Sequence, residues 1–228
     1  MIFSTKPSRR ETLWGGIYLI LYISVLPLAL PLGLQLLFPQ LDLAQVNFIF
    51  FTVNFAATTV IFRKYLIQSF RDATRVPYAT LRYALLAYLG SMLLSGLVAG
   101  MILRVYPDFT NVNDNAIGSI VQQNYTLMAI GSVILAPVTE ELLFRGLIFR
   151  GLYDRSPLAA HVVTMVLFSL IHVSGYFGYY DIKLLFFCFL QYLAPAYCLN
   201  FAYRYSGNII APILMHMVTN LVSLSAMR

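Results

Sequence analysis

The most informative apolar run of this chain covers residues 126–149 and reads TLMAIGSVILAPVTEELLFRGLIF. An α-helix rises about 1.5 Å per residue, so about 20 residues of this kind cross a hydrocarbon core of about 30 Å. The run is long enough to be a membrane span, yet it contains Glu140, Glu141 and Arg145. An ionisable side chain near the bilayer centre costs at least about 2.5–3.5 kcal/mol on insertion, so such residues are expected to serve a function.

The composition of the whole chain is that of a membrane protein. Of its 228 residues, 60% are hydrophobic and 11% are charged, and the mean hydropathy is +0.76. A soluble domain carries about 25% charged residues because its surface faces water. The net charge of +6 comes from Lys and Arg in short segments beside the apolar runs, where they set topology and contact anionic head groups. The sequence therefore predicts the lipid bilayer as a partner and no nucleic acid.

Seven apolar stretches are long enough to be spans, which predicts an all-α, polytopic transmembrane helix bundle. They cover approximately residues 13–38, 43–62, 79–103, 126–149, 157–176, 182–203 and 208–226. The first stretch is too long for the apolar region of a signal peptide and is predicted to stay as an uncleaved span. It could also bend at Pro27 and Pro31, which would give eight spans.

The basic residues predict the orientation of the bundle. With the N-terminus inside, the inner segments hold Lys6, Arg9, Arg10, Arg63, Lys64, Arg71, Arg75, Arg82, Arg150, Arg155 and Arg204. The outer segments hold only Arg104, Lys183 and Arg228. By the positive-inside rule the N-terminus is predicted to be cytoplasmic. We divide the chain into residues 1–125, which hold N-terminal spans and an amphipathic connector, and residues 126–228, a helical core.

The third stretch contains a G-x-x-x-G pattern at Gly96 and Gly100. Small residues at this spacing let two helices approach closely. The pattern predicts close packing within the bundle, with dimerisation as the alternative, and it leaves the oligomeric state open.

Further polar residues lie at membrane depth in two other stretches: His172 in the fifth, and His216 with Asn220 in the seventh. Glu141 and Arg145 are one helical turn apart and can pair on one face, and His216 and Asn220 have the same spacing. Glu140 is rotated by about 100° from Glu141 and faces another neighbour. Taken alone, Glu141 and Arg145 could be a buried pair that only fixes helix packing. Glu and His inside a bundle also occur in proton-coupled transporters.

Three motifs in order resemble those of the CAAX-protease and bacteriocin-processing family of intramembrane proteases, also called CPBP or ABI. Residues 140–145, EELLFR, resemble its E-E-x-x-x-R motif, and residues 168–172, FSLIH, resemble its F-x-x-x-H motif. Residues 216–220, HMVTN, resemble its H-x-x-x-N motif. The resemblance covers residues 126–226, and each motif alone is a weak signal.

The resemblance implies a role for each of these residues. Glu140 would be the general base that activates water, assisted by His172. His216 and Asn220 would stabilise the oxyanion of the tetrahedral intermediate, and Glu141 with Arg145 would orient and support the site. This division agrees with the chemistry of peptide hydrolysis, which needs a base, a shielded water molecule and donors aimed at the developing oxyanion.

The part played by a metal is left open by the sequence. Glu140, His172 and His216 would be the ligands of a zinc ion, because two His and one Glu form a known catalytic zinc set. The chain has no H-E-x-x-H, and a glutamate-type mechanism without a cofactor uses the same residues. We favour the site without zinc.

The sequence therefore predicts an intramembrane endopeptidase that opens toward the cytoplasm, in a prokaryotic cell membrane. Its substrate would be a peptide or protein, such as a CAAX-type tail or the tail of a peptide precursor. A non-catalytic membrane protein of the bacteriocin-immunity type and a proton-coupled transporter are the alternatives. A transporter is expected to show repeated halves with paired broken helices, and we find no internal repeat.

Overall fold

The computed structural model describes residue 3 and residues 5–227, and this part of the chain folds into helices without a β-sheet. We number nine helices: α1 Arg9–Leu37, α2 Leu43–Ile61, α3 Arg63–Arg75, α4 Pro77–Val105, α5 Val112–Val121, α6 Tyr125–Tyr153, α7 Pro157–Ile171, α8 Ile182–Ser206 and α9 Ile210–Ala226. The predicted polytopic all-α bundle is confirmed.

Each of the seven predicted stretches contains one of these helices. In the described residues, six helical segments are long and apolar enough to cross a membrane: α1, α2, α4, α6, α8, and α7 together with the short turn that extends it to Tyr176. The seventh, α9, is apolar but has only 17 residues. The left-handed Gly207 ends α8 three residues before α9 begins. The first stretch is a single helix of 29 residues and is not divided at its prolines.

Prolines shape the helices that reach the site. Pro27 and Pro137 each follow a short π-helical segment, Leu21–Val25 and Ile130–Leu135 respectively. A proline lacks the N–H that would bond to the carbonyl four residues earlier, and its ring clashes with that carbonyl. Local widening to i→i+5 bonds relieves the clash and is one way in which membrane helices satisfy the freed groups.

Helix α6 lies at the centre of the bundle. It packs against α1 and α2 on one side and against α7, α8 and α9 on the other. In its most apolar window 56% of the residues are buried, against 6–33% in the other five long segments. The helix that carries the three ionisable residues is therefore the one best shielded from lipid.

Helix α3 is fixed at the end of the bundle that holds the N-terminus. The Tyr65 backbone N–H donates to Glu11 Oε1 at 2.9 Å, and the Tyr65 hydroxyl hydrogen-bonds that of Tyr203 at 2.9 Å. Burial raises the pKa of Tyr65 to about 12, so this hydroxyl stays protonated at neutral pH. The predicted connector is thus a helix docked against α1 and α8.

The G-x-x-x-G pattern of α4 does not mediate packing inside the chain. A Cβ atom added to Gly96 or Gly100 would meet nothing within 4 Å. The prediction of close packing within the bundle is wrong, because α8 and α9 contact α4 along another face.

Candidate active site

A cavity of about 560 Å³ runs from the middle of the bundle to one of its ends. Its lining includes Glu140, His172, His216 and Asn220, the four residues predicted to act in catalysis. Glu141 and Arg145 are fully buried behind this lining. The volume lies in the range of about 300–1,000 Å³ that is typical of small-molecule sites.

The four residues lie at different depths along one cavity. Glu140 and His216 lie at its inner part, since Glu140 is near the middle of α6 and His216 is in the first half of α9. His172 directly follows the last residue of α7 and lies closer to the open end. All four residues nevertheless line the same cavity.

Arg145 is held by a complete set of buried partners. Its Nη1 donates to Glu141 Oε1 at 3.1 Å, its Nε to Asn200 Oδ1 at 3.2 Å, and its Nη2 to the Ala196 carbonyl at 3.0 Å. The guanidinium carbon lies 4.5 Å from the centre of the Phe168 ring, at cation–π distance. A fully buried guanidinium group needs such compensation, since an unpaired buried charge is strongly destabilising.

Glu141 connects this pair to His216. The same oxygen, Glu141 Oε1, lies 2.9 Å from His216 Nδ1. A carboxylate only accepts hydrogen bonds, so Nδ1 is the nitrogen that carries the proton. The other nitrogen, Nε2, is 3.9 Å from Glu140 Oε2. In neutral His216 the lone pair on Nε2 therefore points toward Glu140 and the cavity.

His172 is oriented in a similar way, by a backbone group. Its Nδ1 is 2.7 Å from the Phe168 carbonyl, which can only accept, so Nδ1 donates and Nε2 keeps its lone pair. The ring stacks on Tyr192, with centroids 4.3 Å apart and planes 27° apart. The Tyr192 hydroxyl donates to Asp114 Oδ1 at 3.2 Å and accepts from Asn113 Nδ2 at 2.9 Å. Helix α5 thus holds Tyr192 in place, and the ring of His172 stacks on Tyr192.

Asn220 hydrogen-bonds to a backbone carbonyl of α6 that lacks its usual donor because of Pro137. Its Nδ2 donates to the Ser132 carbonyl at 2.8 Å. In the π-helical turn the Ala136 N–H bonds to Gly131, so the donor expected for Ser132 is residue 137, which is proline. The amide of Asn220 takes the place of that missing donor. One N–H and the oxygen of this amide remain for the cavity.

Glu140 has fewer partners than Glu141. The Tyr22 hydroxyl donates to Glu140 Oε1 across a long 3.5 Å. The buried Oε2 makes no hydrogen bond with the described residues. Glu140 is 8% exposed and forms no ion pair with Lys or Arg among the described residues.

The three residues predicted as alternative zinc ligands do not fit a metal site in this arrangement. Their chemistry is suitable, since Glu140 offers an oxygen and both histidines offer Nε2. However, across the residues that the structure describes, no three His, Cys, Asp or Glu side chains come close enough to hold one ion.

The cavity opens beside α5 and the C-terminal end of α9, as its lining by Asn113, Asp114 and Met227 shows. This is the end of the bundle away from α3 and the N-terminus. The sequence predicted both a cytoplasmic N-terminus and a site that opens toward the cytoplasm. The two predictions cannot both hold, because the chain places the open end and the N-terminus on opposite sides.

Several residues of the site escaped the sequence analysis. Asn200 was the easiest to find, as a polar residue within the apolar sixth stretch, where a polar group in lipid needs a partner. Tyr192 and Tyr22 carry no such signal, because the chain has 16 tyrosines and nothing in the sequence distinguishes these two. Asn113 and Asp114 lie in the long polar loop between the third and fourth stretches, and only the fold brings them to the cavity.

The comparisons with known proteins concern the half of the chain that holds the site. Residues 122–222 match the family model described as type II CAAX prenyl endopeptidase Rce1-like. YdiL of Bacillus subtilis (strain 168), which its name describes as a candidate membrane peptidase, is 32% identical over 109 residues, 47% of this chain. The protein YxdF of Lactococcus lactis subsp. lactis (strain IL1403) is 30% identical over 95 residues, 42% of this chain.

The matched segments span 40% and 47% of these two relatives, less than half of each. No solved structure matches the chain. The matched region contains all three motifs, from Glu140 to Asn220. The resemblance to the CAAX-protease and bacteriocin-processing family, predicted from those motifs, is therefore confirmed over residues 122–222, where the chain matches the Rce1-like model.

Proposed function

We propose that this protein is an intramembrane endopeptidase in which Glu140 activates water for attack on a peptide bond. The observation that carries the proposal is one cavity, at membrane depth, lined by an uncommitted carboxylate, two imidazoles and an amide. The similarity to a family of endopeptidases and to YdiL supports the same class of reaction.

In the proposed reaction, Glu140 takes a proton from a water molecule in the cavity. The resulting hydroxide attacks the carbonyl carbon of the scissile bond, and the carbonyl oxygen becomes an oxyanion. The proton then moves from Glu140 to the nitrogen of the leaving amine, and the C–N bond breaks. A correctly placed general base contributes about 10²–10⁴-fold to such a reaction.

The two histidines are proposed to handle protons and to stabilise charge. Both donate from Nδ1 to fixed acceptors, the Phe168 carbonyl and Glu141, so both present Nε2 to the cavity. His172 assists Glu140 by accepting from water at Nε2. His216 must carry a second proton before Nε2–H can donate to an oxyanion. Its ring lies between two carboxylates, with Nδ1 2.9 Å from Glu141 Oε1 and Nε2 3.9 Å from Glu140 Oε2. Asn220 donates its remaining N–H.

Glu141 and Arg145 are proposed to be positioning residues. Neither lines the cavity, and both are fully buried. Glu141 fixes the ring of His216 as a carboxylate fixes the histidine of a catalytic triad. Arg145 neutralises Glu141 and ties α6 to α8 through Asn200.

No metal takes part in the proposed mechanism. The spacing of Glu140, His172 and His216 does not suit one ion, and each of them has a role in the water-activation scheme without it. The choice between a glutamate-type and a metal-dependent endopeptidase is a prediction that is tested below.

The function is tested by comparing peptide termini in cells that express the wild type or Glu140→Gln. Termini that depend on the protein are expected in membranes or medium of the wild type and to be lost with Glu140→Gln. Asp154→Asn is the matched control, since it also replaces a carboxylate by an amide, but Asp154 is an exposed residue that pairs with Arg150 and does not line the cavity. If the wild type and Glu140→Gln give the same termini, the protein is a non-catalytic or transporting bundle and the proposal fails.

A further inference from the structure

The ends of the helices form two faces. We call one the basic face; it contains the connections at residues 5–8, 62–76, 154–156 and 207–209. We call the other the cavity face; it contains the connections at residues 38–42, 106–124 and 172–181 and the end of α9. Contacts within each face support this grouping.

On the cavity face, the Tyr176 hydroxyl donates to Asn113 Oδ1 at 3.2 Å, and Gln122 Nε2 donates to the Met227 carbonyl at 3.3 Å. These bonds join two of the connections, 106–124 and 172–181, and the end of α9. On the basic face, Asn208 Nδ2 donates to Thr80 Oγ1 at 3.0 Å, which joins the start of α9 to the start of α4. The two faces therefore lie at opposite ends of the bundle.

The positive charge is concentrated at one of these ends. Of the fourteen Lys and Arg residues that the structure describes, eleven lie on or beside the basic face, and two, Arg104 and Lys183, lie near the cavity face. The fourteenth is Arg145, in the core. Such a bias places the basic face in the cytoplasm, and the cavity face then lies on the other side of the membrane.

The charge of the cavity limits what it can bind. Two carboxylates, Glu140 and Asp114, line it together with two histidines, and within the described residues the lining holds no Lys or Arg. A free C-terminal carboxylate would find no cation there and would be repelled. An internal peptide segment that is neutral or basic avoids this penalty.

We propose that the substrate reaches Glu140 from the extracytoplasmic side, as a neutral or basic internal segment of an exported or membrane-inserted polypeptide. That a polypeptide is cleaved in the cavity rests on the proposed function, whereas the side on which the cavity opens is independent of any activity. It favours a peptide-precursor type of substrate over a cytoplasmic CAAX tail with its free carboxylate.

The orientation is tested by thiol labelling of intact and lysed cells with a membrane-impermeant charged maleimide. Ser119→Cys places a thiol on the exposed side of α5, on the cavity face, and Thr74→Cys places one on the exposed side of α3, on the basic face. The parent chain is the control, because its Cys188 and Cys198 are both buried. We expect Ser119→Cys to react fully in intact cells and Thr74→Cys to react only after lysis. The reverse pattern would overturn the inference.

The path to the site is tested by blocking it. Ala116 lines the cavity near its open end, so a bulky maleimide on Ala116→Cys should abolish the Glu140-dependent cleavage. The same label on Thr74→Cys should leave cleavage at the level of the unlabelled variant. Cleavage by fully labelled Ala116→Cys would contradict entry at this end. If the wild type shows no Glu140-dependent cleavage at all, the proposed function fails, while the labelling pattern still decides the orientation.

Discussion

The adjacent glutamates Glu140 and Glu141 differ in their surroundings more than in any property visible in the sequence. Glu141 accepts from Arg145 and His216 and is fully buried. Glu140 lines the cavity and accepts only one long hydrogen bond, from the Tyr22 hydroxyl at 3.5 Å, while the Oε2 atom of each glutamate has no partner among the described residues. Helical geometry, which turns consecutive residues by about 100°, is sufficient to separate them. One residue is thus suited to support and the other to chemistry.

We therefore expect opposite effects from the two isosteric substitutions. Glu141→Gln leaves Arg145 as an uncompensated buried charge and should lower the free energy of unfolding by about 3–5 kcal/mol. Glu140→Gln removes a buried carboxylate that pairs with no Lys or Arg and should leave stability unchanged or raise it, while it lowers the rate of cleavage by about 10²–10⁴. Thermal unfolding in detergent, followed by size-exclusion chromatography, measures the first effect. If the two variants exchanged these phenotypes, the assignment of base and support would be reversed.

Asn200 gives a second prediction for a single residue. It accepts from Arg145 Nε and donates from Nδ2 to Thr164 Oγ1 at 2.9 Å, all of it buried. Asn200→Ala should lower the free energy of unfolding by about 1–3 kcal/mol, because a buried donor on Arg145 loses its acceptor. The exposed Asn115→Ala should change it by less than about 0.5 kcal/mol. Equal stability of the two variants would show that the Arg145 network does not support the bundle.

At the scale of the helices, the sequence predicted which segments would be helical but not how they are wound. The sequence has prolines inside the fourth, sixth and seventh stretches, at Pro137, Pro195 and Pro212. The interruption at Pro137 is a π-helical turn that frees the Ser132 carbonyl for Asn220. This could not be predicted, because a proline can be accommodated by a kink, by solvation or by widening, and the neighbouring helix decides between them.

The close approach of α2 and α6 beside this turn allows a matched test with two glycines. A Cβ atom on Gly131 would overlap the ring of Phe51, whereas one on Gly151 would meet nothing within 4 Å. Gly131→Ala should therefore destabilise the protein by about 1–3 kcal/mol through overpacking. Gly151→Ala should be neutral or stabilising by up to about 1 kcal/mol, since both glycines are helical. Unfolding midpoints of the two variants in one detergent give the comparison, and a neutral Gly131→Ala would show that the helices are not in contact there.

At the scale of the molecule, the six candidate site residues were predictable because polar groups are rare in such an apolar chain. The direction in which the site opens was not, because it depends on α5. That helix lies in a polar loop between spans, and its packing against Tyr192 and Gln191 has no counterpart in hydrophobic periodicity. For this reason the sequence did not reveal that a cytoplasmic N-terminus and a cytoplasmic opening are incompatible.

The metal content of the purified protein tests the proposed mechanism at the same scale. We expect purified protein to contain no stoichiometric zinc and to keep its activity in phenanthroline. His216→Ala should then lose about 10²–10³ in rate, as after removal of one oxyanion donor, and keep measurable turnover. In a zinc enzyme the loss of a ligand would empty the site. One zinc per chain by elemental analysis, with activity restored only by added zinc, would make Glu140, His172 and His216 its ligands.

The central claim, that Glu140 activates water for peptide hydrolysis, is tested most directly with purified protein in heavy-oxygen water. A peptide that spans a terminus found in cells is incubated with the wild type and with Glu140→Gln, and the products are weighed by mass spectrometry. We predict one heavy-oxygen atom in the new carboxyl group of the wild-type product, and a loss of about 10²–10⁴ in rate for Glu140→Gln. Cleavage by Glu140→Gln at the wild-type rate, or a wild-type product without heavy oxygen, would contradict the account.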